Sequence, residues 1–240
     1  MRRGQITLYI IIAILVLSAV SVVLYTQKDL FSKKTEYTQQ NIKSVNFFIS
    51  SCIEKTAEDA LFFTGQQGGY YIPAQNSAGS VAYYFYDNKS YFPKKEVIEQ
   101  QLALYMSDNL KICTANFSNF TNLGVSYGEI NSTVKILSDR VRFNVYWPVI
   151  ITQTSKYELN SFSADIHSRL SLIYDVSEKI VAEQLKSHAI CLSCIADLNY
   201  QNNLYMAING LGEKVVFFTI KDEKVLLNNQ PYEFTFANRY

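Results

Sequence analysis

The chain has 240 residues, 48% of them hydrophobic and 18% charged, which is apolar material enough for one or two folded domains. Its 22 basic and 21 acidic side chains leave a formal charge of +1 with no basic stripe, so charge excludes a polyanion-binding or nucleic-acid-binding reading. Eighteen Tyr and 15 Phe against a single Trp favour strands and half-wet surfaces, because tyrosine packs its ring while keeping its hydroxyl in water.

The first element is an apolar run from Ile6 to Tyr25, almost wholly Ile, Leu, Val and Ala, in a stretch with no ionisable side chain but Tyr between Arg3 and Lys28. Twenty helical residues rise about 30 Å, the thickness of a bilayer's hydrocarbon, and the run has no polar face to give to water, so a single transmembrane helix in contact with lipid is expected. A cleaved secretory signal is the rival reading, but no small-x-small site follows and Tyr25-Thr26-Gln27 is a poor one. Charge does not orient the span, since Arg2 and Arg3 are balanced by Lys28, Lys33 and Lys34. Four cysteines suit two disulfides in an oxidising space, and acceptor sequons stand at Asn88, Asn116, Asn119 and Asn131. A cytoplasmic N-terminus and an extracytoplasmic C-terminal domain at the cell membrane are therefore expected.

Arg2-Arg3-Gly4-Gln5 followed directly by an apolar helix resembles the class III signal peptide of archaeal type IV pilins and archaellins. The resemblance implies cleavage by a prepilin peptidase after Gly4, with Gln5 as the mature N-terminus and the helix as an assembly element. Many bacterial pilins carry glutamate at the fifth mature position; Tyr9 stands there in this chain. The run Arg3 to Ile11, with Cys52-Ile53-Glu54 and Gln67-Gly68-Gly69-Tyr70, is similar to single-span surface proteins of small symbiotic archaea of the DPANN type. That likeness covers about the first 75 residues and implies no activity.

Neither Gly nor Pro interrupts Gln5 to Thr64, so the helix is expected to continue past the span. The polar stretch 26–41 reads as a stalk or a hinge, with helix favoured. From Ile42 an apolar face recurs at Val45, Ile49, Cys52, Ile53, Thr56, Ala60 and Phe63, and Gly65 with Gly68-Gly69 ends it. Two strands are expected at Tyr70-Tyr71-Ile72 and Val81 to Tyr86, then a helix opened by Pro93 that buries Val97, Ile98, Leu102, Tyr105, Met106 and Leu110. Asn116 to Gly128 reads as a polar loop. Thr133 to Leu137 and Val141 to Trp147 read as a hairpin over Ser138-Asp139, with Arg140, Arg142 and Asn144 on the outer face and Pro148 at its end. Glu158 to Lys186 reads as one long helix on Phe162, Ile166, Leu170, Ile173 and Ile180. A meander follows, Val215 to Ile220, Val225 to Leu227 and Tyr232 to Phe236, with turns at Lys221-Asp222-Glu223 and Asn228-Asn229-Gln230. The expected fold class is α+β: the long N-terminal helix, then a mostly antiparallel sheet covered by helices. The domain plan is 1–5 signal peptide and cytoplasmic tip, 6–25 span, 26–41 stalk and 42–240 ectodomain.

His188-x-x-Cys191-x-x-Cys194-x-x-Asp197 offers four zinc-ligand types. Steps of three sweep them around a helix instead of converging them, and structural zinc normally joins two separate pairs. A redox Cys-x-x-Cys wants a low-pKa thiolate at a helix start, and Leu192-Ser193 brings no activating cation although His188 lies near. A local Cys191–Cys194 disulfide is the expected reading, which leaves Cys52 and Cys113 to pair with each other. Glu54, Glu58 and Asp59 read as solvated helix carboxylates rather than an acid/base pair. Gln66-Gln67-Gly68-Gly69 ends a helix where phosphate cradles begin one. Ser163 and His167, at i, i+4 on the expected helix, lack an oxyanion signal. No catalytic, cofactor or metal residue is assigned. The aromatic strand Tyr83-Tyr84-Phe85-Tyr86 has two aromatic faces where a one-sided sheet needs one, so the surplus face docks a partner or lies under a helix or loop.

The reading is a non-enzymatic cell-surface protein for adhesion or pilin-like assembly, with itself or another surface protein as partner. The alternatives are an anchored monomeric binding or chaperone-like domain, and an extracytoplasmic thiol-disulfide enzyme using Cys191 and Cys194.

Overall fold

The computed structural model describes residues 3–152, 155–212 and 214–240 and, within the first helix, the side chains at 13–23, 25 and from 39 onward. The chain divides into two units, Met1–Phe47 and Phe48–Tyr240. Helix α1 (Arg3–Gly65) supplies all of the first unit that is described and opens the second. Among the described residues no helix is long and apolar enough to cross a membrane, which overturns the expected transmembrane helix at Ile6 to Tyr25. The side chains at 5–12 and 24 lie outside the described residues, that of Gln5 at the expected processing site after Gly4 among them, as do those at 26–38 in the expected stalk.

In the second unit α1 buries Ile49, Cys52, Ile53, Thr56, Ala57, Ala60 and Leu61, the 3.6-residue stripe its sequence specifies. Thr64 Oγ1 donates to Ala60 O at 2.7 Å in the last turn, and Gly69 N donates back to Thr64 O at 2.8 Å. Gly68 and Gly69 sit at φ of +68° and +80°, where a Cβ is strained. Gly65 has a second reason to lack a side chain: a Cβ there would lie 2.6 Å from Glu233 O.

Among the described residues ten strands form two sheets. The first contains β1 (Ser77–Ala78), β2 (Val81–Tyr86), β3 (Lys89–Ser90), β8 (Tyr205–Leu211), β9 (Val215–Leu227) and β10 (Gln230–Arg239), in the order β1-β2-β10-β9-β8 with β3 beside β2. Its β2–β10 pair is parallel while β1–β2, β2–β3, β9–β10 and β8–β9 are antiparallel, so the sheet is mostly antiparallel, as expected. Phe218, Phe236 and Tyr84 stack in turn across β9, β10 and β2, with centroids 5.2 and 4.7 Å apart. The second sheet contains β4 (Gly124–Tyr127), β5 (Asn131–Ile136), β6 (Arg140–Thr152) and β7 (Lys156–His167). Strand β6 is its spine: β5 and β4 pair end to end along one side of it and β7 runs along the other. At Trp147-Pro148 the β6–β7 register slips, a bulge that accommodates a residue with no N–H to give.

Helix α2 (Lys95–Thr114) covers β5; Glu99, buried on its inner side, accepts from Lys135 Nζ at 2.8 Å and Ile136 N at 2.9 Å. Cys113 in the last turn of α2 is bonded to Cys52 on α1, with Cα atoms 5.6 Å apart. Helices α3 (Leu170–Ser187) and α4 (Leu192–Asn202) follow β7. At that junction Arg169 forms a two-pronged ion pair with the fully buried Asp222, at 2.6 and 2.7 Å, and donates to Asn202 O and Asn203 O.

Several expected elements change. The single helix from Glu158 to Lys186 is strand β7 followed by helix α3, because Phe162, Ile166 and Leu170 are four apart and that step fits a period of 2 as well as one of 3.6. Tyr70 to Ile72 is not a strand; Gln101 Oε1 accepts from Tyr71 N and Ile72 N, at 2.9 Å each, and stands in for a strand partner. Lys221-Asp222-Glu223 stays inside β9 because Arg169 neutralises the buried Asp222. The expected loop Asn116 to Gly128 contains a 3-10 turn (Ala115–Phe120) and β4.

Candidate functional site

The side of the β4–β7 sheet that its helices leave open carries a formed groove. Along β6, Val141, Phe143, Val145 and Trp147 are buried while Arg140, Arg142, Asn144 and Tyr146 are exposed, the period-2 alternation of a sheet with one wet face. Directly paired residues share a face, so the register assembles the outer rows. His167 stands opposite Arg140; Asp165, Arg142 and Lys135 form the next row; Ser163, Asn144 and Thr133 the third; and Ser161, Tyr146 and Asn131 the fourth.

Charge sits at one end of this face and is internally matched. Arg142 donates to both oxygens of Asp165, at 2.7 and 2.8 Å, with Arg140 Nε 3.8 Å away. The Arg142 hydrogen bonds, helped by the charges of Arg142 and Arg140, hold the Asp165 carboxyl below the ordinary carboxylate range. Stability from that depressed pKa is present above the unfolded value of about 3.9 and is lost as pH falls through the folded one. An NMR titration should place the Asp165 midpoint below that of an ordinary aspartate, and Arg142→Gln should move it back up; an unchanged midpoint in the variant would remove Arg142 as the cause.

The other end of the face is uncharged. Asn131, Thr133, Asn144, Tyr146, Ser161 and Ser163 line a groove of about 430 Å³, within the range of small-ligand sites. Tyr146 is 50% exposed at its centre. These six side chains supply amide and hydroxyl donors and acceptors with no carboxylate or cation among them, beside one accessible ring.

The Cys191–Cys194 disulfide lies at the start of α4, with Cα atoms 5.3 Å apart. Cys191 is the N-cap residue, its Sγ accepting from Cys194 N at 3.2 Å with Ser193 Oγ at 3.5 Å. In the chain-entropy picture so short a loop constrains the unfolded state by about 2 kcal/mol, against about 4 kcal/mol for the 61-residue separation of Cys52–Cys113.

The other residues singled out in the sequence do not converge. Of the aromatic strand, Tyr83, Tyr84 and Phe85 are buried and Tyr86 is half-buried, so its surplus face lies inside the fold and is not a docking surface. Tyr84 donates to Gly68 O at 3.0 Å, and burial pushes its hydroxyl pKa up. Glu54 and Glu58 border a cleft of about 250 Å³ with Asp165 and His167, but Asp165 is already held by Arg142. Asp59 is engaged by Lys55 and by Asn228 Nδ2, both at 2.8 Å. Ser163 and His167 lie on a strand, not on adjacent helical turns, which removes the contact their spacing implied. Among the described residues no group of three or more His, Cys, Asp and Glu could hold a metal ion. All four sequon asparagines are exposed. The groove itself was half visible in the sequence: Asn144 was placed outward, but reading β7 as helix removed Ser161 and Ser163 from its side.

No family model, curated protein or solved structure matches the chain. Its functional reading therefore rests on this geometry.

Proposed function

We propose that the unit Phe48–Tyr240 is an extracytoplasmic, disulfide-stabilised adhesion module that binds uncharged carbohydrate on the open face of the β4–β7 sheet. The observation that carries this reading is the groove of five amide and hydroxyl side chains around Tyr146. A sugar presents hydroxyls that both donate and accept, which Asn131, Asn144, Thr133, Ser161 and Ser163 can match, and its C–H face packs on an aromatic ring. The absence of charge from these lining residues favours a neutral glycan over an anionic one. The two disulfides support an oxidising compartment.

The test is calorimetry of the full chain against neutral oligosaccharides first found by array screening. Tyr146→Ala should weaken binding at least tenfold, about 1.4 kcal/mol, while Arg142→Gln at the charged end should leave it within twofold. Equal loss in both variants, no binding to any neutral glycan, or a sugar attached at Asn131 in the native protein, where it would fill the groove, would overturn the reading.

A further inference from the structure

We infer that the Cys191–Cys194 disulfide is a thiol-exchange centre that accepts electrons from the dithiols of another polypeptide. Four observations converge on it. Cys191 caps an 11-residue helix, so when it is reduced its sulfur stands where the helix's unsatisfied N–H groups favour negative charge. The Cys194 N–H already points at that sulfur, at 3.2 Å. Both cysteines are partly exposed, and Leu192 between them is 66% exposed, an apolar contact for a polypeptide partner. Finally, both sulfur-bearing residues border a small cleft with Gln184, which is 1% exposed and whose amide nitrogen has no hydrogen-bond partner among the described residues. The Gln184 oxygen is spent on Asn238, so the group left unpaired on this cleft-lining residue is a donor, the kind of group a thiolate uses. Lys179 and Glu183 line the same cleft with opposite charges.

The exchange balances as follows. A substrate thiolate attacks Cys191 Sγ, the Cys191–Cys194 bond breaks, and Cys194 leaves with the electron pair and takes a proton from solvent. The substrate's second thiol, having lost its proton, attacks the substrate sulfur of this mixed disulfide. A substrate disulfide forms, and Cys191 departs as a thiolate accepting from the Cys194 N–H. Two thiols are oxidised and one disulfide is reduced, with no further reactant.

The test uses the full chain with both disulfides formed, treated with reduced glutathione, quenched by alkylation and mapped by peptide mass. Cys191–Cys194 should open at least tenfold faster than Cys52–Cys113 and leave the circular dichroism spectrum unchanged. In Cys194→Ser, the lone Cys191 thiol should react with iodoacetamide at pH 6 at least tenfold faster than the lone Cys194 thiol of Cys191→Ser. If either variant fails to fold, site-resolved alkylation of the partly reduced wild-type chain makes the same comparison. Equal alkylation of the two sulfurs, equal opening of the two disulfides, or unfolding when Cys191–Cys194 opens would overturn the inference and leave a structural clasp.

Discussion

Arg169→Ala should destabilise the domain by about 3–5 kcal/mol. The guanidinium is the cation of Asp222, whose side chain is 0% exposed, and it also satisfies the carbonyls of Asn202 and Asn203 at the end of α4. Removing it leaves a buried carboxylate with Lys224 N, at 3.0 Å, as its remaining neighbouring donor. The cost is therefore desolvation of an unpaired charge, not the modest worth of an ion pair. The double replacement Arg169→Met with Asp222→Leu should recover most of the loss, since neither charge is then stranded. Urea denaturation of the three variants checks this. A loss below about 1 kcal/mol for Arg169→Ala would mean that water reaches Asp222 when the arginine is gone.

Removing the longer disulfide by Cys52→Ala with Cys113→Ala should cost about 4 kcal/mol. The bond closes a 61-residue separation between α1 and α2, and β1, β2, β3 and the glycine turn that ends α1 all lie inside that loop. Cys52 is 3% exposed, so a small cavity adds to the loss of the constraint. For a domain of this size the melting temperature should fall by about 10 °C. Because the constraint acts on the unfolded chain, the urea m-value should rise as the denatured state expands. An unchanged m-value with a full loss of stability would place the effect in native packing.

Sequence legibility followed how unambiguous each local signal was. The stripe from Ile42 to Phe63 has no competing reading, and it is helix, although Phe63 at its end is 40% exposed. Four cysteines with one close pair gave both disulfides. The β5–β6 hairpin over Ser138-Asp139 was legible because Val141, Phe143 and Val145 alternate strictly with Arg140, Arg142 and Asn144. The Phe162–Ile166–Leu170 step satisfies two periods, so β7 was missed, and with it one wall of the groove. Asp222 was read as a turn because a local view prices a charge as solvated; its partner lies 53 residues away, and no local pattern carries that information. The aromatic strand Tyr83 to Tyr86 was a correct strand whose second face could not be assigned, since burial on both sides depends on α3 and on the C-terminal strands. For the apolar run at 6–25 the window of hydrophobicity was clear, but among the described residues no helix is long and apolar enough to cross a membrane.

The parallel pairing of β2 with β10 sets a constraint on the order of folding. Tyr83 meets Ala237 across about 150 residues of chain, and without β10 the strand β2 keeps only the two-residue partners β1 and β3. A nascent chain lacking Gln230 to Arg239 cannot close the first sheet, so Tyr84 and Phe85 stay uncovered until those residues have left the ribosome. Long-range closure of this kind makes folding late and slow.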